Sequence, residues 1–204
     1  VTYRKDSTDL YLEETVADLS HLEALLQSSG RCRFVPVMLA EALSIHVTRV
    51  MLSELERLSL PVREVVVNRL YPAQSNCPVC AERFSRLTVE IEALTQVFSS
   101  YTLWGLPLFL EEVQGTERLL TVWEHARPLA QAQENAVRKT MNDETTVLDS
   151  AIQRSTVGNP ATLPASSMKL MLFAGKGGVG KTTLACASAL CLAEEWNGKE
   201  ILLF

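Results

Sequence analysis

The sequence has no excess of positive charge and no long hydrophobic run. Its 19 lysine and arginine residues are outnumbered by 24 aspartate and glutamate residues, which leaves a formal net charge of −5. Nucleic-acid phosphates attract clustered lysine and arginine rather than a mildly acidic surface, so we expect no nucleic acid among the partners. The longest apolar stretches, such as residues 34–40, fall far short of the roughly 20 residues that a membrane-crossing helix needs. Any membrane role is therefore expected to be peripheral.

The chain also has few features of an exported protein. Its start does not show the basic, apolar and small-residue order of a signal peptide. The five cysteines are an odd number with uneven spacing, and they do not indicate a disulfide framework. A cytoplasmic location is the expectation. Because the chain starts at Val1 rather than Met and stops at Phe204 within an apolar run, we expect a fragment that is truncated at both ends.

Apolar residues recur with two alternating periods in residues 1–130, which predicts an α/β fold. The helical period predicts helices over residues 9–27, 43–58, 76–98 and 116–127, with Ser7 or Thr8 as the cap of the first. Short, nearly continuous apolar runs predict strands over residues 32–40, 62–70 and 101–106. Such runs are typical of a parallel sheet that helices cover on both faces.

Residues 131–167 differ in composition from the rest of the chain. Gln, Asn, Ser, Thr and Pro dominate and the helical period is lost, which predicts a linker. After it, the pattern predicts a strand over residues 169–174, a helix over 181–196 and the start of another strand at 199–204. We therefore divide the chain into a first domain at 1–130, a linker at 131–167 and a second module at 168–204.

The second module contains a glycine-rich loop between its predicted strand and helix. The loop matches the pattern Gly, four residues, Gly, Lys, then Ser or Thr, in Gly175, Lys176, Gly177, Gly178, Val179, Gly180, Lys181, Thr182 and Thr183. Glycines let backbone N–H groups converge on phosphate oxygens, and the positive end of the next helix favours that charge. We expect Lys181 to reach the β- and γ-phosphates, Thr182 to bind Mg²⁺ and Thr183 to contact the α-phosphate. A glycine turn without a ligand is the alternative.

The early lysine, Lys176, narrows the class of nucleotide-binding protein. With it, the loop resembles the deviant Walker A loop of the dimeric ATPases for septum placement, partitioning, nitrogenase reduction, arsenite extrusion and tail-anchored protein targeting. In that class the early lysine reaches the nucleotide of the partner, as an arginine finger does. The resemblance thus implies Lys176 and Lys181 as catalytic residues. A solvated surface lysine is the alternative for Lys176.

The segment before the linker resembles the second half of an arsenite-pump or guided-entry ATPase domain. The resemblance covers nearly all of residues 1–130 and rests on the order of RFVPVMLAEALS (33–44), VVVNRLYP (65–72), CPVC (77–80), LPL (106–108) and EVQG (112–115). The phosphate loop after the linker then resembles the start of a second, homologous half. The arsenite-pump ATPase has two such halves, whereas the eukaryotic targeting ATPase has one and dimerises. The implied fold is that of a P-loop NTPase with tandem halves.

The resemblance implies a subunit that binds and hydrolyses ATP with Mg²⁺ in an arsenite- or anion-transporting ATPase. A tail-anchored-protein-targeting ATPase is the first alternative, and a nucleotide-binding regulatory or scaffold protein without turnover is the second. The implied partners are a second ATPase half or a second copy, and a membrane transporter or a client protein. A carboxylate beyond Phe204 is implied in catalysis, so we expect this chain alone not to hydrolyse ATP usefully.

The resemblance also assigns base-binding residues. Asn68 would bind adenine through its amide, which offers a donor and an acceptor, and backbone near Pro107 would flank the base. These contacts would serve the nucleotide of the first half, whose phosphate loop would precede Val1. The alternative for Asn68 is a turn residue at the end of a strand.

Cys77 and Cys80 form a single Cys-x-x-Cys at the start of a predicted helix, where the positive helix end favours thiolates. Two thiolates are half of a structural zinc site, and the resemblance implies that another half or chain supplies two more ligands. A redox pair is one alternative. Inert cysteines are the other, because Cys80 lies in phase with the apolar stripe of its helix and can be buried there. Cys186 and Cys191 are expected in the core, and the three histidines show no ligand spacing.

Overall fold

Five strands of the chain form one sheet in the order β4-β3-β2-β1-β5. A computed structural model describes residues 5–71, 78–129, 167–196 and 198–204. The strands are β1 Cys32–Leu39, β2 Glu64–Leu70, β3 Thr102–Pro107, β4 Arg127–Pro128 and β5 Leu170–Ala174. The helices are α1 Ser7–Gln27, α2 Ala42–Arg57, α3 Pro78–Val97, α4 Thr116–Thr121 and α5 Lys181–Glu195, with a 3-10 turn at Val122–His125. The predicted α/β fold with a largely parallel sheet is confirmed.

The strand before the glycine-rich loop, β5, completes this sheet. It pairs in parallel with β1, from Cys32 opposite Leu170 to Pro36 opposite Ala174. The segments on either side of residues 131–167 therefore contribute strands to one sheet. Of the predicted linker, residues 131–166 lie outside the described residues. The division of the chain into parts of two homologous halves of a longer protein stays a prediction.

Alternate residues of the central strands supply two hydrophobic clusters, one on each face of the sheet. Val35, Val37 and Val66 join the cluster that contains Trp123 and residues of α5. The opposite cluster contains the apolar residues Met38, Val65, Val67, Leu52, Leu94, Leu103, Phe98 and Leu129. Full burial of each such side chain contributes about 1.5–3 kcal/mol relative to exposure. Burial on both faces explains why these strands are continuous apolar runs instead of alternating ones.

The first helix differs from the prediction at its cap, and it packs loosely. Asp6, not Ser7 or Thr8, is the N-cap, and its carboxylate accepts from the backbone N–H groups of Thr8 and Asp9 in a capping box. No side chain of α1 is buried. No helix among the described residues has the length and apolar content to cross a membrane.

The predicted helix over residues 116–127 is wrong in its second part. In the structure the α-helix α4 ends at Thr121 and is followed by the 3-10 turn. Arg127 and Pro128 then pair antiparallel with β3. The residue before a proline disfavours helical backbone, which accounts for the change at Arg127. Trp123 in the turn is buried, and its indole N–H donates to Ser188 Oγ at 3.0 Å. This bond fastens α5 to the segment before residue 130.

The predicted strand at residues 199–204 is also wrong. These residues have no regular structure and no strand partner among the described residues. The side chains of Leu202 and Phe204 are exposed. A strand requires a neighbour to receive its backbone hydrogen bonds, and apolar content alone does not provide one.

Candidate nucleotide-binding site

The glycine-rich loop lies between the carboxyl end of β5 and the amino end of α5. Gly180 is the N-cap residue of α5 and has no side chain with which to bond the first N–H groups of the helix. These groups therefore remain available to an anion, which the positive end of the helix dipole also favours. Val179 in the same loop is fully buried among residues of the first hydrophobic cluster. The loop is thus anchored by its one apolar residue, and the amides beside it are left for a ligand.

Two glycines of the loop occupy positions that no other residue can take. Gly175 has φ +148°, and a Cβ there would lie 2.1 Å from the carbonyl oxygen of Val37 in β1. Gly180 has φ +100°, and a Cβ there would lie 2.4 Å from Asn68 Nδ2. Both contacts are far shorter than van der Waals distance, so side chains at these positions would push the loop away from the sheet.

The middle of the loop is open. A Cβ at Gly177 or Gly178 would meet no atom of the described residues within 4 Å. The open side of the loop is therefore where phosphate oxygens can approach the backbone N–H groups, as the sequence pattern predicts.

The two lysines of the loop have different environments. Lys181 is partly buried, and its Nζ donates to the carbonyl oxygen of Lys176 at 2.9 Å, so its side chain lies along the loop. Lys176 is exposed and makes no ion pair with a described residue. Lys181 is therefore placed to serve the loop's own ligand, whereas the ammonium group of Lys176 is accessible from outside.

Thr182 and Thr183 follow Lys181 in the first turn of α5. Thr182 is exposed, and its hydroxyl makes no hydrogen bond with a described residue, whereas Thr183 is partly buried. A hydroxyl oxygen is a hard ligand of the type that Mg²⁺ prefers, and in such sites the ion keeps several waters and binds phosphate oxygens. The residues present thus fit a magnesium ion held by Thr182 together with a bound phosphate chain.

Asn68, at the carboxyl end of β2, contacts this loop directly. Its Nδ2 donates to the carbonyl oxygen of Val179 at 2.9 Å, and its Oδ1 accepts from the backbone N–H of Arg69 at 2.9 Å. The predicted role of Asn68 toward the nucleotide of a first half stays a prediction, and its contact with this loop arises because β5 lies in the same sheet. An amide has two N–H groups and two lone pairs on its oxygen, so one of each remains for a ligand.

Pro107 ends the neighbouring strand β3 and lies opposite Leu70 in β2. The backbone N–H of Leu108 donates to the carbonyl oxygen of Leu70 at 2.7 Å, which holds the two strand ends together. The carboxyl ends of parallel strands form the usual ligand-binding edge of an α/β sheet. The structure therefore brings Asn68, Pro107 and the loop to one edge of the sheet.

The cysteine and histidine predictions have mixed outcomes. Cys77 lies outside the described residues, and the side chain of Cys80 on α3 is not described, so the zinc prediction stays open. Among the described residues, no cluster of three or more His, Cys, Asp or Glu side chains is placed to hold a metal. Cys191 is partly buried against the first cluster, and burial raises the pKa of its thiol, as it does for Cys32. The histidines are exposed.

Two residues that position the site were not foreseen. The Val37 carbonyl lies against Gly175, and Arg69 follows Asn68 with a left-handed backbone, φ +59°. In the sequence, Val37 looks like any other core residue of its strand, and nothing indicates that its carbonyl contacts the loop. The only sequence signal at Arg69 is a charged residue two positions after a run of three valines.

A protein family and several named proteins match this chain. The sequence model of the anion-transporting ATPase family matches residues 3–126 and 168–204. A protein of Aspergillus niger named ATPase get3 is 30% identical over 110 residues, which are 53% of this chain and 31% of that protein. A protein of Phaeosphaeria nodorum named ATPase GET3 is 28% identical over 110 residues, 53% of this chain and 34% of that protein.

The chain thus spans about a third of the length of the curated relatives that it matches. The family match, by contrast, includes strands β1, β2, β3 and β5 of the sheet, Asn68 and the entire phosphate loop. These segments are the ones that the structure brings together at one edge of the sheet. The chain belongs to the anion-transporting ATPase family, a family of ATPases.

Proposed function

We propose that the full-length protein binds and hydrolyses ATP at the carboxyl edge of this sheet and acts in tail-anchored protein targeting. The relatives named ATPase get3 support the targeting branch, because the guided-entry ATPases that this chain resembles act there. Arsenite transport, which the sequence analysis put first, becomes the alternative. The client is then a hydrophobic helix of a membrane protein, and the anion is not the cargo.

The hydrogen bond between Asn68 and Val179 is the observation that carries the proposal. It joins the strand end that would bind the base to the loop that would bind the phosphates, over a separation of 111 residues. One nucleotide can therefore contact both segments of this chain. The remaining N–H group and lone pair of Asn68 match the acceptor and donor on the edge of adenine.

The other residues have roles that follow from their environments. Lys181 lies along the loop and balances charge on the β- and γ-phosphates. Thr182 holds Mg²⁺, which when bound neutralises phosphate oxygens during phosphoryl transfer. The exposed Lys176 reaches the nucleotide of a partner half or a second copy, and the backbone near Pro107 flanks the base.

Calorimetry of the full-length protein with ATP, with and without Mg²⁺, tests the binding site. We expect magnesium-dependent binding of ATP that Lys181→Ala weakens strongly. Gln27→Ala, on the far side of the molecule, is the control that leaves affinity unchanged. No affinity for ATP in the unmodified protein would refute the proposal.

Phosphate release by the full-length protein then separates the candidate functions. Turnover together with binding of a peptide that contains a single membrane-spanning helix supports targeting. Stimulation by arsenite without peptide binding would support the transport alternative. Nucleotide binding without turnover would support a regulatory protein.

A further inference from the structure

Arg69 is an extra residue in strand β2. Val67 lies opposite Gly105 of β3 and Leu70 lies opposite Pro107, so two residues of β2 face one residue of β3. This two-against-one arrangement is a β-bulge, and bulges near a binding edge redirect side chains. Val67 and Leu70 both pack in the second hydrophobic cluster, on the same face of the sheet. The alternation of faces along β2 is regular only when Arg69 is left out.

The backbone of Arg69 is held in an unfavourable conformation. Its φ of +59° lies in the left-handed region, which is costly for a residue with a Cβ and free of that cost for glycine. The Oδ1 of Asn68 accepts from the N–H of Arg69 while its Nδ2 donates to the Val179 carbonyl. The same amide therefore fixes both the phosphate loop and the bulge. Strain of this kind persists where the surrounding structure over-determines a residue, often at a ligand site.

The side chain of Arg69 is exposed at this edge and makes no ion pair with a described residue. An arginine at this position thus has neither a packing role nor a salt bridge among those residues to account for it. A guanidinium group is planar and stacks well on the face of an aromatic ring, which a purine base provides.

We propose that Arg69 binds the base of the nucleotide, with its guanidinium group against one face of the purine. Asn68, the neighbour of Arg69 in the bulge, contacts the loop at Val179 and Gly180, whereas the open side for phosphates is at Gly177 and Gly178. The charge of the phosphates is met by the lysines of the loop. The inference rests on the proposed ATP binding and adds to it a residue that sets affinity for the base.

The substitution Arg69→Gly tests this assignment without threatening the fold. Glycine accepts the left-handed backbone, so we expect Tm to rise by about 2–4 °C for each kcal/mol of strain relieved. The affinity for Mg²⁺-ATP should nevertheless fall about tenfold, because the stacking group is lost. A purely structural role would instead make stability and affinity rise together.

Ser59→Gly is a matched control. Ser59 is the other described non-glycine residue with a left-handed backbone, φ +58°, and it lies before β2, at the opposite end of that strand. We expect the same rise in Tm and no change in affinity for Mg²⁺-ATP. A loss of affinity in this variant as well would show that left-handed glycines weaken binding generally, and would overturn the inference.

Inorganic triphosphate with Mg²⁺, used as a competitor, separates the base from the phosphates. We expect Arg69→Gly to weaken ATP binding and to leave the inhibition constant of triphosphate unchanged. Equal weakening of both ligands would place Arg69 on the phosphates and overturn the inference, as would unchanged ATP affinity. An unmodified protein that does not bind ATP would instead refute the proposed function, and the inference with it.

Discussion

Polar side chains have different partners at the two ends of the parallel strands. At the amino end, Arg33 of β1 forms an ion pair with Glu64 of β2, and their side chains are only 19% and 6% exposed. At the carboxyl end, the Asn68 side chain donates to the Val179 carbonyl of the loop and accepts from the backbone N–H of Arg69, and the side chains of Arg69 and Thr182 are exposed. At the amino end the charged side chains pair with each other. At the carboxyl end hydrogen-bond donors and acceptors remain available to a ligand.

The electrostatics of the amino end fit a structural role. Burial raises the pKa of the Glu64 carboxyl, and the charge and hydrogen bond of Arg33 lower it without cancelling the effect of burial. The ion pair therefore does not recover the full cost of removing the carboxylate from water, which is common for buried pairs. A buried ion pair of this kind has a structural role. Exposed hydrogen-bond donors beside a glycine-rich loop are instead typical of a ligand-binding site.

The largest effect is expected at the carboxyl end, from Lys176→Ala in the full-length protein. The ammonium group of Lys176 is exposed and lies outside the core, so folding and nucleotide binding should be unchanged. Turnover should fall by about 10³-fold or more, as for the loss of an arginine finger. Phosphate release and calorimetry on the same preparation measure the two quantities.

Mixing two inactive variants distinguishes action on a partner from action within one subunit. In a dimer of Lys176→Ala with Lys181→Ala, one site receives Lys181 from its own subunit and Lys176 from the other. Random mixing in a two-fold dimer should then restore about a quarter of the unmodified rate. No recovery from a mixture that forms mixed dimers would show that Lys176 acts on its own nucleotide.

The next largest effect is expected at the amino end, from Arg33→Met. Loss of this guanidinium leaves the Glu64 carboxylate buried without its partner, which should lower the free energy of unfolding by about 3–5 kcal/mol at pH 7. Nucleotide affinity should be unchanged in the protein that remains folded. Denaturant unfolding measures the loss, and Arg57→Met, which removes an exposed pair on α2, is the control with a small effect.

The pH dependence of this loss has a definite sign. The pKa of Glu64 is raised in the folded protein, so the native state keeps its proton at pH values where the unfolded state has lost it. Stability therefore falls as the pH rises from the ordinary glutamate pKa through the folded value, and more steeply in Arg33→Met. The deficit of the variant should be smaller at pH 5 than at pH 7. An equal deficit at both would mean that Glu64 titrates like an exposed carboxyl.

Features with a short-range cause were predictable from the sequence. The valines of β2 and the apolar runs of β1 and β5 indicated buried parallel strands, because residues covered on both faces cannot alternate with polar ones. The phosphate loop was recognisable because glycines and a lysine must occur at set spacing for backbone amides to meet phosphates. The family resemblance added the correct family, and it put arsenite transport before the targeting branch, which the named relatives favour.

Features that depend on distant neighbours were not predictable. The position of β5 beside β1 follows from tertiary pairing across residues 131–167, and the composition of those residues gives no information about that pairing. The bulge at Arg69 needs the register of β3, which a single strand does not reveal. The two-residue strand β4 is too short to produce a period, and the apolar residues 199–204 had the composition of a strand without a partner.

The smallest effect is expected from Asn68→Asp. This substitution tests whether the amide that links the loop to the sheet stabilises the carboxyl end. Aspartate keeps the oxygen that accepts from Arg69 and replaces the donor to Val179 with a second oxygen, which faces a carbonyl. We expect a loss of about 1–3 kcal/mol in the free energy of unfolding at pH 7, because a buried acceptor loses its donor. Magnesium-ATP affinity should fall as the loop loosens.

Gln27→Ala is the control for this change, since the amide of Gln27 also donates to a backbone carbonyl, that of Leu58, at the exposed end of α1, and alanine adds no charge beside Glu23, the second acceptor of that amide. Water replaces that donor readily, so its loss should be small. Lowering the pH should restore part of the stability of Asn68→Asp alone, because a protonated aspartate again has one O–H to donate to Val179. A deficit that does not shrink on acidification would show that the Asn68 donor does not hold the loop.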